Sequence, residues 1–332
     1  MRLSRRFVNL GEAMQLDPAV QSLFEQMTLL ARYPVWEKSP EEARAEFRAI
    51  YKLYDTKVVP IGKTENLEAT GPAGALQLRV YTPVAPGAGA LPAIVYFHGG
   101  GFVVGDLDCH DTLCRILANE SGCRVVAVDY RLAPEHPFPA AVEDCFAALK
   151  WVEDKASALC IDPNRIVVAG DSAGANLAAV TCLLARDNKD NPKIVFQLLI
   201  YPPTQMGGAL ETRPHGSGYM LDQRSINWFQ SHYLPKGADK TDPRLSPLAA
   251  KDAGRLPPAY VVTAGFDPLR EEGLAYAEKL KQAGVRVTLV DYPSMIHGFF
   301  SMSAFIPLAS EAIAAAAQAV KHAVDPFTAT AS

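Results

Sequence analysis

The chain has 332 residues, 49% of them hydrophobic and 20% charged, with a formal net charge of −4. That composition is ordinary for a globular protein, and the length suits one large core with an accessory piece. No Lys/Arg block runs along it, which removes the electrostatic footprint of nucleic-acid or anionic-membrane binding, and its longest apolar runs, such as 194–203, are too short to span a bilayer.

The start, Met1-Arg-Leu-Ser-Arg-Arg6, is basic, but Asn9, Glu12, Gln15 and Asp17 interrupt the next stretch, so it forms no apolar run. No export signal is expected, and the protein reads as cytoplasmic. Two amphipathic helices are then predicted before residue 55. Asp17-Pro18 opens the first, with Val20, Leu23, Phe24, Met27 and Leu30 at helical spacing. Ser39-Pro40-Glu41-Glu42 is a capping box for the second, which carries Ala43, Phe47, Ile50 and Leu53 on one stripe.

From Val58 the pattern changes to strands, predicted over 58–61 and, by alternation, over 76–81. After a Gly/Ala/Pro-rich surface loop at 83–92 come near-continuous apolar runs at 93–97, 124–128, 166–169, 195–200, 260–263 and 285–290. Strands apolar on both faces belong in a parallel sheet covered by helices. Helical patterning fills 112–120, 140–152, 173–186, 269–283 and 308–324, so an α/β sheet with right-handed crossovers is expected. The interval 202–248 holds no strand pattern, only a Gly-rich stretch and a helix near 223–233, and reads as an insertion packed with the first two helices as a cap.

The six cysteines, at 109, 114, 123, 145, 160 and 182, form no Cys-x-x-Cys pair and read as buried free thiols. Asp108-Cys109-His110-Asp111 sits on consecutive residues that cannot all face one ion, so no metal site is expected.

Gly170-Asp171-Ser172-Ala173-Gly174 follows one predicted strand directly and opens a helix. A serine on such a sharp turn projects above the sheet edge, and flanking glycines permit the strained backbone. The helix start adds amide groups and positive potential where an oxyanion would form. His98-Gly99-Gly100-Gly101-Phe102 also follows a strand, and three glycines let consecutive amides approach a substrate. The run lacks the Gly-Lys-Ser/Thr ending of a phosphate loop and the spacing of a dinucleotide turn. Upstream of a nucleophile turn, it is the expected second half of an oxyanion hole.

Among seven histidines, His297 lies just beyond the last strand, at the carboxyl end where catalytic groups gather in open α/β sheets. His98 and His110 precede the serine, the wrong chain order for this type of hydrolase. Asp267, in Gly265-Phe-Asp267-Pro-Leu-Arg, follows another strand, and Asp-Pro there also reads as a helix cap. Asp291 and Glu271 stand as rival carboxylates.

These motifs, with the stretch Asp129-Tyr-Arg-Leu-Ala-Pro-Glu-His-Pro-Phe-Pro139, resemble the bacterial hormone-sensitive lipase-like esterases over roughly residues 93–300. The resemblance implies an α/β-hydrolase fold with a helical cap. It implies catalytic Ser172, Asp267 and His297, and oxyanion amides on Gly100, Gly101 and Ala173, with Gly99 a further contributor. It also implies hydrolysis of short- to medium-chain acyl esters without a cofactor, and often a homodimer. Two positions depart from the family's usual pattern: Ala175 follows the elbow where a glycine is usual, and Ser294 precedes the Met-Ile-His run. The expected division is cap over 1–55, catalytic core over 56–202, cap insertion over 203–247 and core again over 248–332. An amidase using the same triad shares every named part. A non-catalytic receptor of the same fold would lack the working histidine that His297 supplies.

Overall fold

In the computed structural model, residues 15–28, 34–54, 58–207 and 219–325 are described. Leu30, His215 and the side chain of Met27 lie outside them. The strands are β1 Lys63–Gly71, β2 Gly74–Thr82, β3 Leu91–Phe97, β4 Arg124–Asp129, β5 Ile161–Asp171, β6 Ile194–Ile200, β7 Ala259–Phe266 and β8 Val287–Ile296. They form one sheet in the order β1-β2-β4-β3-β5-β6-β7-β8. Only β2 runs against its neighbours, and every pairing from β4 to β8 is parallel. The apolar runs explain this: β3 is buried along its whole length and β7 likewise, as strands with helices on both sides must be.

Helices α3 (Asp111–Ser121) and α8 (Pro307–Ala323) cover one face, while α4 (Ala140–Asp154), α5 (Ala173–Arg186) and α7 (Arg270–Gln282) cover the other. From β3 the chain crosses to β4 on one side, and β5 then lies on the other. The loops after β3 and β5 therefore diverge, leaving a crevice above the strands' carboxyl ends. That crevice carries the glycine run and the serine turn.

Three further helices lie outside this layered core: α1 (Pro18–Thr28), α2 (Pro40–Tyr54) and α6 (Gln223–Tyr233). The capping box at the start of α2 forms as its spacing predicts: the Ser39 amide donates to Glu42 Oε2 (2.8 Å) and the Glu42 amide to Ser39 Oγ (3.2 Å). The α1 stripe divides. Val20 and Leu23 are buried against the core, whereas Phe24 faces a cavity. On α2, Ala43, Phe47 and Ile50 face the same cavity and Leu53 is exposed.

Three expectations need correction. Residues 58–61 form no strand, and Val58 is 92% exposed; the strand begins at Lys63 instead. Five cysteines are buried free thiols, but Cys160 is exposed. The last strand extends to Ile296, so His297 follows it directly rather than standing in a separate loop.

Candidate active site

The serine turn is shaped by close approach. Ser172 itself has φ 53°, in the left-handed region that costs a non-glycine residue about 1–2 kcal/mol. A Cβ on Gly174 would land on the Phe97 carbonyl, and one on Gly170 would meet the backbone of Gly174. Glycine at both positions lets α5 start hard against β3 and β5. The strain is held by the sheet, where the Ser172 amide donates to the Ile200 carbonyl at 2.9 Å.

Two other strand ends deliver the partners. His297 Nε2 lies 2.8 Å from Ser172 Oγ, and His297 Nδ1 lies 2.7 Å from Asp267 Oδ2. A carboxylate only accepts, so Nδ1 carries the ring proton and Nε2 is left to accept from the serine hydroxyl. The Asp267 side chain is wholly buried, and its other oxygen accepts the Leu269 amide at 2.8 Å. The acid therefore ties the turn before α7, which begins only at Arg270, rather than capping the helix itself. The Tyr201 ring packs against the imidazole, with centroids 4.6 Å apart.

The rival carboxylates point elsewhere. Asp291 accepts from Arg270 (2.8 and 3.1 Å) and from the Thr263 hydroxyl (2.7 Å), and Glu271 pairs with Arg270 at 2.8 Å. Among the described residues, the other histidines are also occupied or remote. His98 is buried, stacked on Tyr130 at 4.3 Å, and His232 packs edge-on to Trp228 at 4.5 Å. Burial, with repulsion from His110, pulls the His98 imidazole down to about 4.

The amides of Gly100, Gly101 and Ala173 make no hydrogen bond to another described residue, and all three residues line the cavity with Ser172. Gly99 does not join them. Its amide donates to Asp171 Oδ1 at 2.9 Å, so the expected fourth contributor is spent within the protein. Asp171, given no role by the sequence reading, is a buried anchor. The Tyr96 hydroxyl donates to it at 2.6 Å and His110 Nε2 lies 3.3 Å away. Burial alone would raise its carboxyl, but facing His110 and Tyr96 hold it below the usual carboxylate range. No spacing in the sequence signals this role, because Tyr96, Gly99 and His110 meet it only through the sheet.

Above the serine lies a cavity of about 430 Å³. Its floor holds Ser172, His297 and the glycine loop, while Phe24, Phe47 and Ile50 line it from α1 and α2, and Ile226 and Phe229 from α6. The polar exception on α2 is Glu46, paired with Lys38 at the cavity wall.

A serine, imidazole and buried carboxylate in series, on three strand ends of a mostly parallel sheet, define an α/β-hydrolase. A family model described as the alpha/beta hydrolase fold matches residues 94–301. The chain is 45% identical over 271 residues to the carboxylic ester hydrolase LipN of Mycobacterium tuberculosis, covering 78% of this chain and 70% of that one. It is 39% identical over 299 residues to an ethyl acetate hydrolase of Pseudomonas putida, covering 87% and 92%. Among solved structures, the hyperthermophilic esterase of the archaeon Pyrobaculum calidifontis superposes with a TM-score of 0.87 at 41% identity, covering 93% and 98%. The chain belongs to the α/β-hydrolase fold family, in the hormone-sensitive lipase-like branch that its motifs resemble.

Proposed function

We propose that this protein is a carboxylesterase acting on short- to medium-chain acyl esters, with Ser172 as nucleophile, His297 as general base and Asp267 as the residue that orients it. The observation that carries this reading is the unbroken series Ser172–His297–Asp267, at 2.8 and 2.7 Å, opening onto a cavity beside three amides that no other described residue engages. The names of the relatives, carboxylic ester hydrolase and ethyl acetate hydrolase, agree with it.

His297 Nε2 takes the Ser172 proton as Oγ attacks the ester carbonyl, and the amides of Gly100, Gly101 and Ala173 receive the developing oxyanion. The imidazolium then gives its proton to the leaving alcohol. Water, deprotonated by the same nitrogen, attacks the acyl-enzyme and releases the acid. Asp267 holds Nδ1–H throughout, which fixes the tautomer and stabilises the imidazolium.

We further assign the helices before residue 55 and the stretch 203–247 to a roof over the core segments 56–202 and 248–332. The apolar side chains they turn toward the cavity support this. A largely apolar space of about 430 Å³ suits one small ester.

Ser172→Ala tests the reading. It should lower kcat by about 10⁴-fold or more on p-nitrophenyl esters while the thermal transition stays in place. A variant that keeps full activity overturns the assignment. Assaying ester and anilide substrates of equal acyl group separates esterase from amidase action.

A further inference from the structure

The loop that carries the Gly100 and Gly101 amides has an unusual backbone. Three consecutive residues are in the left-handed region: Gly100 at φ 125°, Gly101 at 60° and Phe102 at 65°. Glycine takes this without steric cost, but a bulky phenylalanine does not. Backbone strain of this kind persists only where the surroundings over-determine it. The sheet does not supply that restraint, because β3 ends at Phe97.

The contacts that do supply it come largely from the helices over the site. Arg44 of α2 donates through Nε to the Val103 carbonyl and through Nη2 to the Ala133 carbonyl, both at 2.8 Å. The Ala133 amide in turn donates to the Phe102 carbonyl at 2.9 Å, so one guanidinium ties the glycine loop to the segment after β4 that brackets it. Glu135 fixes the far side of that guanidinium, at 2.8 and 2.6 Å. From α6, the Tyr233 ring stacks on Phe102 with centroids 3.9 Å apart and planes 5° from parallel. Phe229, one turn earlier, occupies the space where a Cβ on Gly101 would stand.

We propose that Arg44 and Tyr233 are positioning residues that hold the Gly100–Phe102 backbone in its strained form, so that the amides face the oxyanion formed at Ser172. This rests on the reading of Ser172, His297 and Asp267 as a catalytic triad. The cap is thus part of the catalytic geometry as well as a wall of the cavity. Arg44 is the cleaner probe, since it does not line the cavity, whereas Tyr233 does.

Arg44→Met keeps the aliphatic stem and removes the donors. It should lower kcat roughly 10- to 100-fold, short of the 10²–10³ cost of losing an oxyanion donor outright, with KM within about twofold. Affinity for a trifluoromethyl ketone, which captures the serine as an oxyanion, should fall by the same factor as kcat/KM. Affinity for the matching methyl ketone should hold. Arg44→Lys, which retains a donor, should recover part of the loss, and Tyr233→Phe, which keeps the stacked ring, should recover most of what Tyr233→Leu loses.

If Arg44→Met does not fold, the comparison rests on Arg44→Lys and the Tyr233 pair, with the same ketone ratio as readout. Folded variants with unchanged kcat, or with both ketones weakened equally, overturn the proposal. A Ser172→Ala enzyme that still hydrolyses esters would instead overturn the triad reading beneath it.

Discussion

At the scale of single residues, the carboxylates separate by what they touch. Asp267→Asn should cost on the order of 10³–10⁴ in kcat, because an amide facing His297 Nδ1 favours the wrong tautomer. Asp291→Asn should leave kcat within about twofold and cost at most ~1 kcal/mol of stability, since it neutralises the partly exposed pair with Arg270 and leaves an oxygen to accept the Thr263 hydroxyl. Kinetics on both variants check this, and a crippled Asp291 variant beside a normal Asp267 variant would reverse the assignment. His98 leads to a pH prediction. Its imidazole sits at about 4 in the fold against an ordinary 6.5, so the unfolded chain binds more protons between those values. The stability it contributes is complete above about pH 6.5 and is lost as pH falls toward 4, on the order of 3 kcal/mol in all. Urea midpoints at pH 5 and pH 7.5 should therefore converge in His98→Gln relative to the parent. The proposed triad was legible from the sequence because each member sits in a local motif at a strand end. Asp171 was not, because its partners Tyr96, Gly99 and His110 come from the neighbouring strand β3 and the segment after it. Gly99 was misread as an oxyanion donor for the same reason: which amides are already engaged depends on that buried carboxylate.

At the scale of elements, the parallel strands were legible because burial on both faces leaves continuous apolar runs. The edge was not. β1 pairs with β2 alone, and its sequence KTENLEATG turns only Ala69 fully inward, so neither alternation nor an apolar run marks it. The more apolar segment 58–61 drew the prediction instead. The serine turn offers a test of packing between elements. A Cβ on Gly174 would strike the Phe97 carbonyl, whereas one on Gly122, the left-handed residue ending α3, meets nothing within 4 Å. Gly122→Ala should therefore cost only the backbone term of about 1–2 kcal/mol. Gly174→Ala should cost more, by roughly the 1–3 kcal/mol of overpacking or beyond, because neither β3 nor α5 can give way cheaply. Thermal melts compare the two, and the α5 variant should also lose activity, since Phe97 leads directly into the oxyanion loop. Equal melting temperatures would mean that α5 is not wedged as closely as the turn geometry requires.

At the scale of the whole molecule, the question is what the first helices do. An apolar stripe before residue 55 has to be buried, and two destinations were open from the sequence: over the active site, or on a far surface as a contact between copies. The packing and position of the described part of α1 support the first. Val20 and Leu23 bury in the same cluster as Ile296 and Phe299, the residues flanking His297, and the Asp17 amide donates to the Ser294 carbonyl at 3.1 Å. Phe24, on the same helix, lines the cavity over Ser172. Deleting residues 1–35 would therefore do two things at once. It would uncover apolar surface beside β8, lowering solubility. It would also remove Phe24, Pro34 and Val35 from the cavity wall, admitting water to the acyl-enzyme and loosening the grip on a short acyl chain. The expected result on a p-nitrophenyl ester series is a severe loss of kcat/KM for acetate and butyrate, with a smaller relative loss for longer chains that no longer meet the wall. The intact protein should favour the short chains and gain little from an oil–water interface, because its apolar space is already formed without one. A truncated protein with the same chain-length profile but an altered sedimentation coefficient would put the helices at a subunit contact and refute the roof.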